Sequence, residues 1–217
     1  MHTIFNLDGP LFSFLSKVAN LAILNILWMI CCIPIFTIGA ATTALFLSTI
    51  RLTNDTDSYV IKFFFKTFIN NFKRSTIVWL ILLVIGIILG ADCYIFYNEI
   101  IGSKLFFYVS LPFVALYIFV LIYIFPVIAV YNNTVKNAFR NALFFSITQL
   151  PSTLFMCALP FFIFLMSTDT FTFFQKYGFL FWLILGFSFI AYVFSFFFNR
   201  IFKKDFEEIE YSDLFSC

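Results

Sequence analysis

No charged residue occurs between Val18 and Ile50, and four further apolar stretches follow at Ile77 to Tyr97, Leu105 to Tyr131, Leu143 to Met166 and Tyr177 to Phe198. A bilayer core is about 30 Å thick and a helix rises about 1.5 Å per residue, so about 20 apolar residues suffice to cross it. The pattern predicts an all-α, polytopic transmembrane helical bundle. The first stretch would run about 50 Å as one straight helix. Pro34 and Gly39 interrupt it, and proline cannot continue the hydrogen-bond ladder. A break near Pro34 gives two short helices, Val18 to Ile33 and Ile38 to Leu52, with Thr37 placed to cap the second. That reading makes about six helices, the first two a short hairpin. The alternative is a single crossing to about Ile38 followed by a buried helix on the inner side, which leaves five spans.

Two polar connections carry a helical period. In Tyr59 to Arg74 the residues Lys62, Lys66, Asn70 and Lys73 recur opposite Ile61, Phe64, Phe65, Phe68 and Phe72, which predicts an amphipathic helix lying along the inner membrane surface. Asn133 to Phe144 repeats the pattern more weakly, with Lys136 and Arg140 opposite Val135, Phe139 and Leu143. Residues 1–204 are thus expected to form a single membrane domain. Residues 205–217 form an acidic tail, solvated and poorly ordered, with Asp205, Glu207, Glu208, Glu210 and Asp213.

Lys and Arg placement orients the bundle. With the N-terminus inside, Lys17, Arg51, Lys62, Lys66, Lys73, Arg74, Lys136, Arg140, Arg200, Lys203 and Lys204 are cytoplasmic, and only Lys104 and Lys176 lie outside. This asymmetry follows the positive-inside rule, and if the first stretch crosses once only Lys17 changes side. Cell-membrane location and a cytoplasmic C-terminus follow as expectations.

Composition removes several function classes. A hydrophobic content of 63% and a mean hydropathy of +1.03 exclude an ordinary soluble globule. The 37 phenylalanines suit lipid-facing and interhelical positions, and a net charge of +2 gives no electrostatic footprint for nucleic acid. His2 is the only histidine, so histidine proton transfer and multi-histidine metal sites are not expected. With no nucleophile elbow or phosphate-binding loop, no catalytic residue, metal or cofactor is expected, and the chain reads as a non-enzyme.

The remaining candidates are structural or polar. Gly39, Ala40 and Ala44 belong to a small-residue patch, and Gly86 with Gly90 makes a G-x-x-x-G; both predict close helix packing. Asn20, Asn25 and Gln149 are candidate interhelical hydrogen-bonding groups, and Asp92 is an ionisable residue near the outer end of its helix. Lys62, Lys66, Lys73 and Arg74 are candidates for cytoplasmic docking or lipid contact.

The run from Asn25 through Pro34 to Ala44, with Asp8-Gly9-Pro10-Leu11 and Phe64 to Lys73, resembles the YesL-like family of bacterial integral membrane proteins of unassigned function. The resemblance extends from Asn6 to about Asp205. It implies an accessory role beside a carbohydrate ABC importer, because members are commonly encoded next to such importers. It supplies no catalytic residues. The expected function is therefore a non-enzymatic accessory subunit whose partners are the bilayer and an ABC permease or other membrane protein. The alternative is a self-contained small-solute transporter or channel.

The charge asymmetry predicts that position 64 and Cys217 are shielded from an impermeant thiol reagent in intact cells, whereas a cysteine at Ser103 is labelled. The reverse pattern would overturn the orientation. A reporter at Thr3 separates the alternatives for the first stretch, reporting inside for two crossings and outside for one.

Overall fold

A computed structural model describes residues 10–54, 59–98, 104–131, 134–168 and 182–214. The elements are α1 (Pro10–Cys31), a 3-10 turn (Ile35–Thr37), α2 (Ile38–Thr53), α3 (Val60–Tyr97), α4 (Lys104–Val130), α5 (Val135–Thr148), α6 (Leu150–Thr168), a π-helical turn (Trp182–Gly186) and α7 (Phe187–Leu214). No strand occurs among the described residues. Five helices are long and apolar enough to cross a membrane, or six if the bent pair α5 and α6 forms one crossing. The chain is a helical bundle of membrane-spanning type.

The break falls at Pro34. Thr37 sits at the N-cap of α2 but makes no side-chain capping bond. Its hydroxyl lies 2.5 Å from the Cys31 carbonyl and 2.6 Å from that of Pro34, so it bridges the break instead of capping the helix. The Trp28 indole N–H donates to Thr42 Oγ1 at 3.2 Å and ties α1 to α2 across the turn.

α2 is the centre of the bundle. About 67% of its most apolar window is buried, against 17% for α1. Its small-residue patch produces this: Ala40, Ala41 and Ala44 are fully covered, and Gly39 lies against α3 with no room for a side chain. A Cβ at Gly39 would stand 2.5 Å from the Ser75 carbonyl oxygen and 2.6 Å from Trp79 Cβ. Close backbone approach gains dispersion contact, the main attraction between helices in lipid. Two bonds reinforce the crossing: Thr43 Oγ1 meets Ser75 Oγ at 2.9 Å, and the Trp79 indole N–H donates to the Ile35 carbonyl at 2.7 Å.

α3 departs from the sequence expectation. The amphipathic stretch predicted to lie along the membrane surface is continuous with the following span as one 38-residue helix. Only Ser75 and Thr76 separate Arg74 from Ile77, and neither breaks a helix. At about 57 Å, α3 is nearly twice the hydrocarbon thickness, and Lys62 to Arg74 mark the part that lies outside it. Its two halves have different neighbours. The basic half and the first residues of the apolar half meet α2 and the turn before it, from the Arg51 guanidinium 4.4 Å over the Phe63 ring to Trp79 at Ile35. The apolar half meets α4 through Tyr117, whose hydroxyl donates to the Leu82 carbonyl at 3.1 Å, and through the stacked rings of Phe96 and Phe106.

The predicted G-x-x-x-G face divides. A Cβ at Gly86 would meet the Tyr117 hydroxyl at 2.6 Å, whereas Gly90 faces open space, with nothing within 4 Å. Gly90 thus meets no other helix among the described residues, since α4 reaches α3 through a tyrosine at Gly86 and does not press backbone against both glycines. Of the four prolines in the later spans, Pro112, Pro126 and Pro160 sit inside continuous helices. Only Pro151 coincides with a break, where α5 and α6 meet at 94°. The predicted fourth span, Leu143 to Met166, is thus divided by this bend. Pro151 has no N–H for the Ile147 carbonyl, which ends the α5 ladder there. α7 continues as helix through Leu214, into the stretch read as the acidic tail. Residues 99–103, 169–181 and 215–217, including Lys176 and Cys217, lie outside the described residues.

Gly39→Ala should lower stability in mild detergent by about 1–3 kcal/mol, because the added methyl meets backbone that cannot swing away. Gly90→Ala should be neutral or slightly stabilising. Thermal unfolding followed by tryptophan fluorescence separates the two; equal shifts would refute the crossing described at Gly39.

Candidate functional site

The polar candidates do not gather into one pocket. Asn25 is fully buried, and its side chain reaches the π-helical turn before α7. Its amide nitrogen donates to the Leu183 carbonyl at 2.8 Å and lies 3.3 Å from that of Trp182, while its oxygen accepts the Ser188 backbone N–H at 3.0 Å. A π turn shifts the i→i−4 ladder and leaves backbone groups without their usual partners. Asn25 supplies those partners. Gly186 makes the turn sterically possible, since a Cβ there would stand 2.5 Å from the Trp182 ring.

The other predicted polar residues stand apart. Asn20 is half-buried on α1, Asp92 is half-buried five residues before the end of α3, and Gln149 is exposed. Gln149 is not inside a helix. It occupies the bend between α5 and α6, where its carbonyl accepts the Thr153 backbone N–H at 2.9 Å. Among the described residues no group of three or more His, Cys, Asp or Glu side chains is placed to hold a metal ion. Cys31, Cys32, Cys93 and Cys157 are free thiols.

Hydroxyl and amide pairs that the sequence reading did not single out fasten α2 and α4 to their neighbours. Ser195 Oγ donates to Thr49 Oγ1 at 2.8 Å, Asn199 bonds to Asn54 and lies 3.4 Å from Thr53 Oγ1, and Tyr123 Oη meets Thr153 Oγ1 at 3.0 Å. Thr49, Thr153 and Ser195 are small polar residues in apolar runs, a signal visible in sequence, but the partners of Thr49 and Asn54 lie about 145 positions away.

The basic candidates on α3 separate into two roles. Lys62, Lys66 and Lys73 are exposed, whereas Arg74 is half-buried and donates to the Tyr131 carbonyl at the end of α4, 3.3 Å away. Arg74 therefore ties α3 to the end of α4. Phe64, predicted on the apolar side, is fully covered, but Ile61, Phe65 and Ile69 are 49%, 41% and 69% exposed. These three are spaced by four and form a stripe on the helix surface. An apolar stripe thus runs beside the basic one on this half of α3.

Residues 21–93 match a family model described as protein of unknown function, DUF624. The DUF624 segment covers about a third of the chain, from Leu21 in α1 to Cys93 in α3. It contains Asn25, the Gly39 crossing and the exposed face of α3, and it assigns no activity to them. The partners of Asn25 and Thr49 on α7 lie beyond it. Among curated proteins and among solved structures, none matches the chain.

Replacing Asn25 with Leu should destabilise the protein by about 1–3 kcal/mol, since the Leu183 carbonyl and the Ser188 N–H lose their partner in a buried site. Hydrogen exchange at Ser188 should accelerate in that variant, and Asn20→Leu should leave it unchanged. Unaltered Ser188 exchange in Asn25→Leu would show that the π turn does not depend on this side chain.

Proposed function

We propose that the chain is a non-enzymatic accessory subunit of a bacterial cell-membrane complex, YesL-like in kind, that docks onto a partner membrane protein through the exposed face of α3. The observation that carries this reading is the stripe of Ile61, Phe65 and Ile69 beside Lys62, Lys66 and Lys73. A separate helix could lay such a face on the lipid surface. α3 continues unbroken into a span, so this half leaves the bilayer with the span and its apolar stripe calls for protein cover. Exposed apolar surface bordered by charge is the usual form of an interaction site.

The permease of a carbohydrate ABC importer is the partner to which the YesL-like resemblance points, and the DUF624 match over residues 21–93 supports that resemblance. The topology in this proposal has the basic ends of α2, α3, α5 and α7 in the cytoplasm, with the C-terminus there. α2 is largely covered by protein, and its start meets α3 at Ser75 and Trp79, where the apolar run begins.

The test is recovery of partner proteins with full-length chain extracted in mild detergent. Wild-type protein should retain an ABC permease, and Lys62→Gln with Lys73→Gln should weaken that recovery by up to about fivefold per lysine removed. Phe65→Ser should weaken it too, with monomer stability unchanged. Solute flux by the purified chain in liposomes, altered in selectivity by the lysine variants while partner recovery stays intact, would replace this reading with a transporter or channel.

A further inference from the structure

A cavity of about 710 Å³ opens where α5 turns into α6 against α7. Its lining divides chemically. Phe144, Phe145, Phe197 and Ile201 form an apolar wall, and Gln149, Ser152 and Arg200 bring polar groups to it. Thr148 also faces it, but its hydroxyl donates to the Phe144 carbonyl at 2.9 Å and is committed to its own helix. The lining contains one cation and no acid.

The depth of the cavity follows from the chain around it. α5 is amphipathic, with Lys136 and Arg140 exposed, and it meets the apolar α6 at 94°. A helix lying on a membrane and a helix entering it meet at about that angle, at the level of the lipid headgroups. Arg200 ends the apolar part of α7 at the same level, followed by Lys203 and Lys204 in sequence. The volume lies in the range of sites that enclose a small ligand, too large for a single ion.

We infer that this cavity binds the headgroup of an anionic phospholipid from the surrounding leaflet. Arg200 would pair with the phosphate, the Gln149 amide and Ser152 hydroxyl would bond to phosphate or headgroup oxygens, and the first acyl methylenes would lie on Phe144, Phe197 and Ile201. A guanidinium matches a phosphate with two parallel hydrogen bonds, and basic pockets between helices near the cytoplasmic surface suit such headgroups. A soluble anion would leave the apolar wall uncovered. The site is separate from the face of α3 and does not depend on the accessory-subunit reading.

The experiment uses full-length protein in nanodiscs of phosphatidylcholine with added phosphatidylglycerol, followed by native mass spectrometry of lipid retained after transfer to detergent. Wild-type protein and Lys136→Gln, which removes an exposed charge elsewhere on α5, should retain phosphatidylglycerol equally; Arg200→Gln should retain about tenfold less. Equal retention by all three would overturn the inference. Photoactivatable phosphatidylglycerol on wild-type protein tests the site with no substitution: crosslinks should map to 144–152 and 197–201, and crosslinks confined to other segments would also overturn it. Displacement of the lipid by inorganic phosphate at comparable concentration would reassign the cavity to a soluble anion.

Discussion

The contact between the backbones of α2 and α3 at Gly39 governs the arrangement of the whole bundle. In lipid there is no hydrophobic gain from bringing two apolar helices together, so the closeness of approach determines how strongly they attract. With Gly39 against Ser75 and Trp79, α2 can lie along α3 for most of its length. Once there, it offers Thr43 to Ser75 and Thr49 to Ser195. A longer side chain at position 39 would lift α2 away from these partners. The neighbouring helices would then close around a gap, because α4 and α7 both pack on the cluster that contains Ala44, Phe46 and Ile50.

Much of this was legible in the sequence. The break at Pro34 was readable because proline removes a backbone donor wherever it stands, and the small-residue patch from Gly39 to Ala44 was readable because few other arrangements need so many short side chains in succession. Other features were hidden for physical reasons. The continuity of α3 was masked because hydropathy divides the chain by solvent, whereas helical hydrogen bonding passes through the boundary unaltered. Gly90 satisfied the same spacing rule as Gly86, but the rule does not know that α4 presents a tyrosine there. Gln149 was read as part of a continuous helical run because the residues after it are apolar; the break before Pro151 places it at a bend between two helices. Asn25 was recognised as a polar group in an apolar helix, but its partners are backbone atoms of a π turn that no residue pattern announces.

The candidate functional surfaces lie at one end of the bundle. The exposed stripe of α3, the clamp from Arg74 to Tyr131 and the cavity beside Arg200 all occur where the apolar runs give way to basic residues. The opposite ends of α3 and α4 pair through aromatic rings, with Phe96 on Phe106 and Tyr97 on Phe107. The chain concentrates charge, amphipathic helices and crevices on one side, and the apolar half of the molecule serves as their anchor.

The hydroxyls of α2 also impose an order of assembly. α2 is complete by Thr53, but Ser75 emerges later on α3, and Ser195 and Asn199 come only with the last helix. During synthesis Thr49 must wait for 146 further residues before its partner exists. Until then α2, the least apolar of the five candidate spans, holds the Thr49 hydroxyl only on its own Leu45 and Phe46 carbonyls, without cover from α7. The nascent chain therefore carries an unfinished centre through most of its translation, and α7 completes the molecule by closing over a helix made at its beginning.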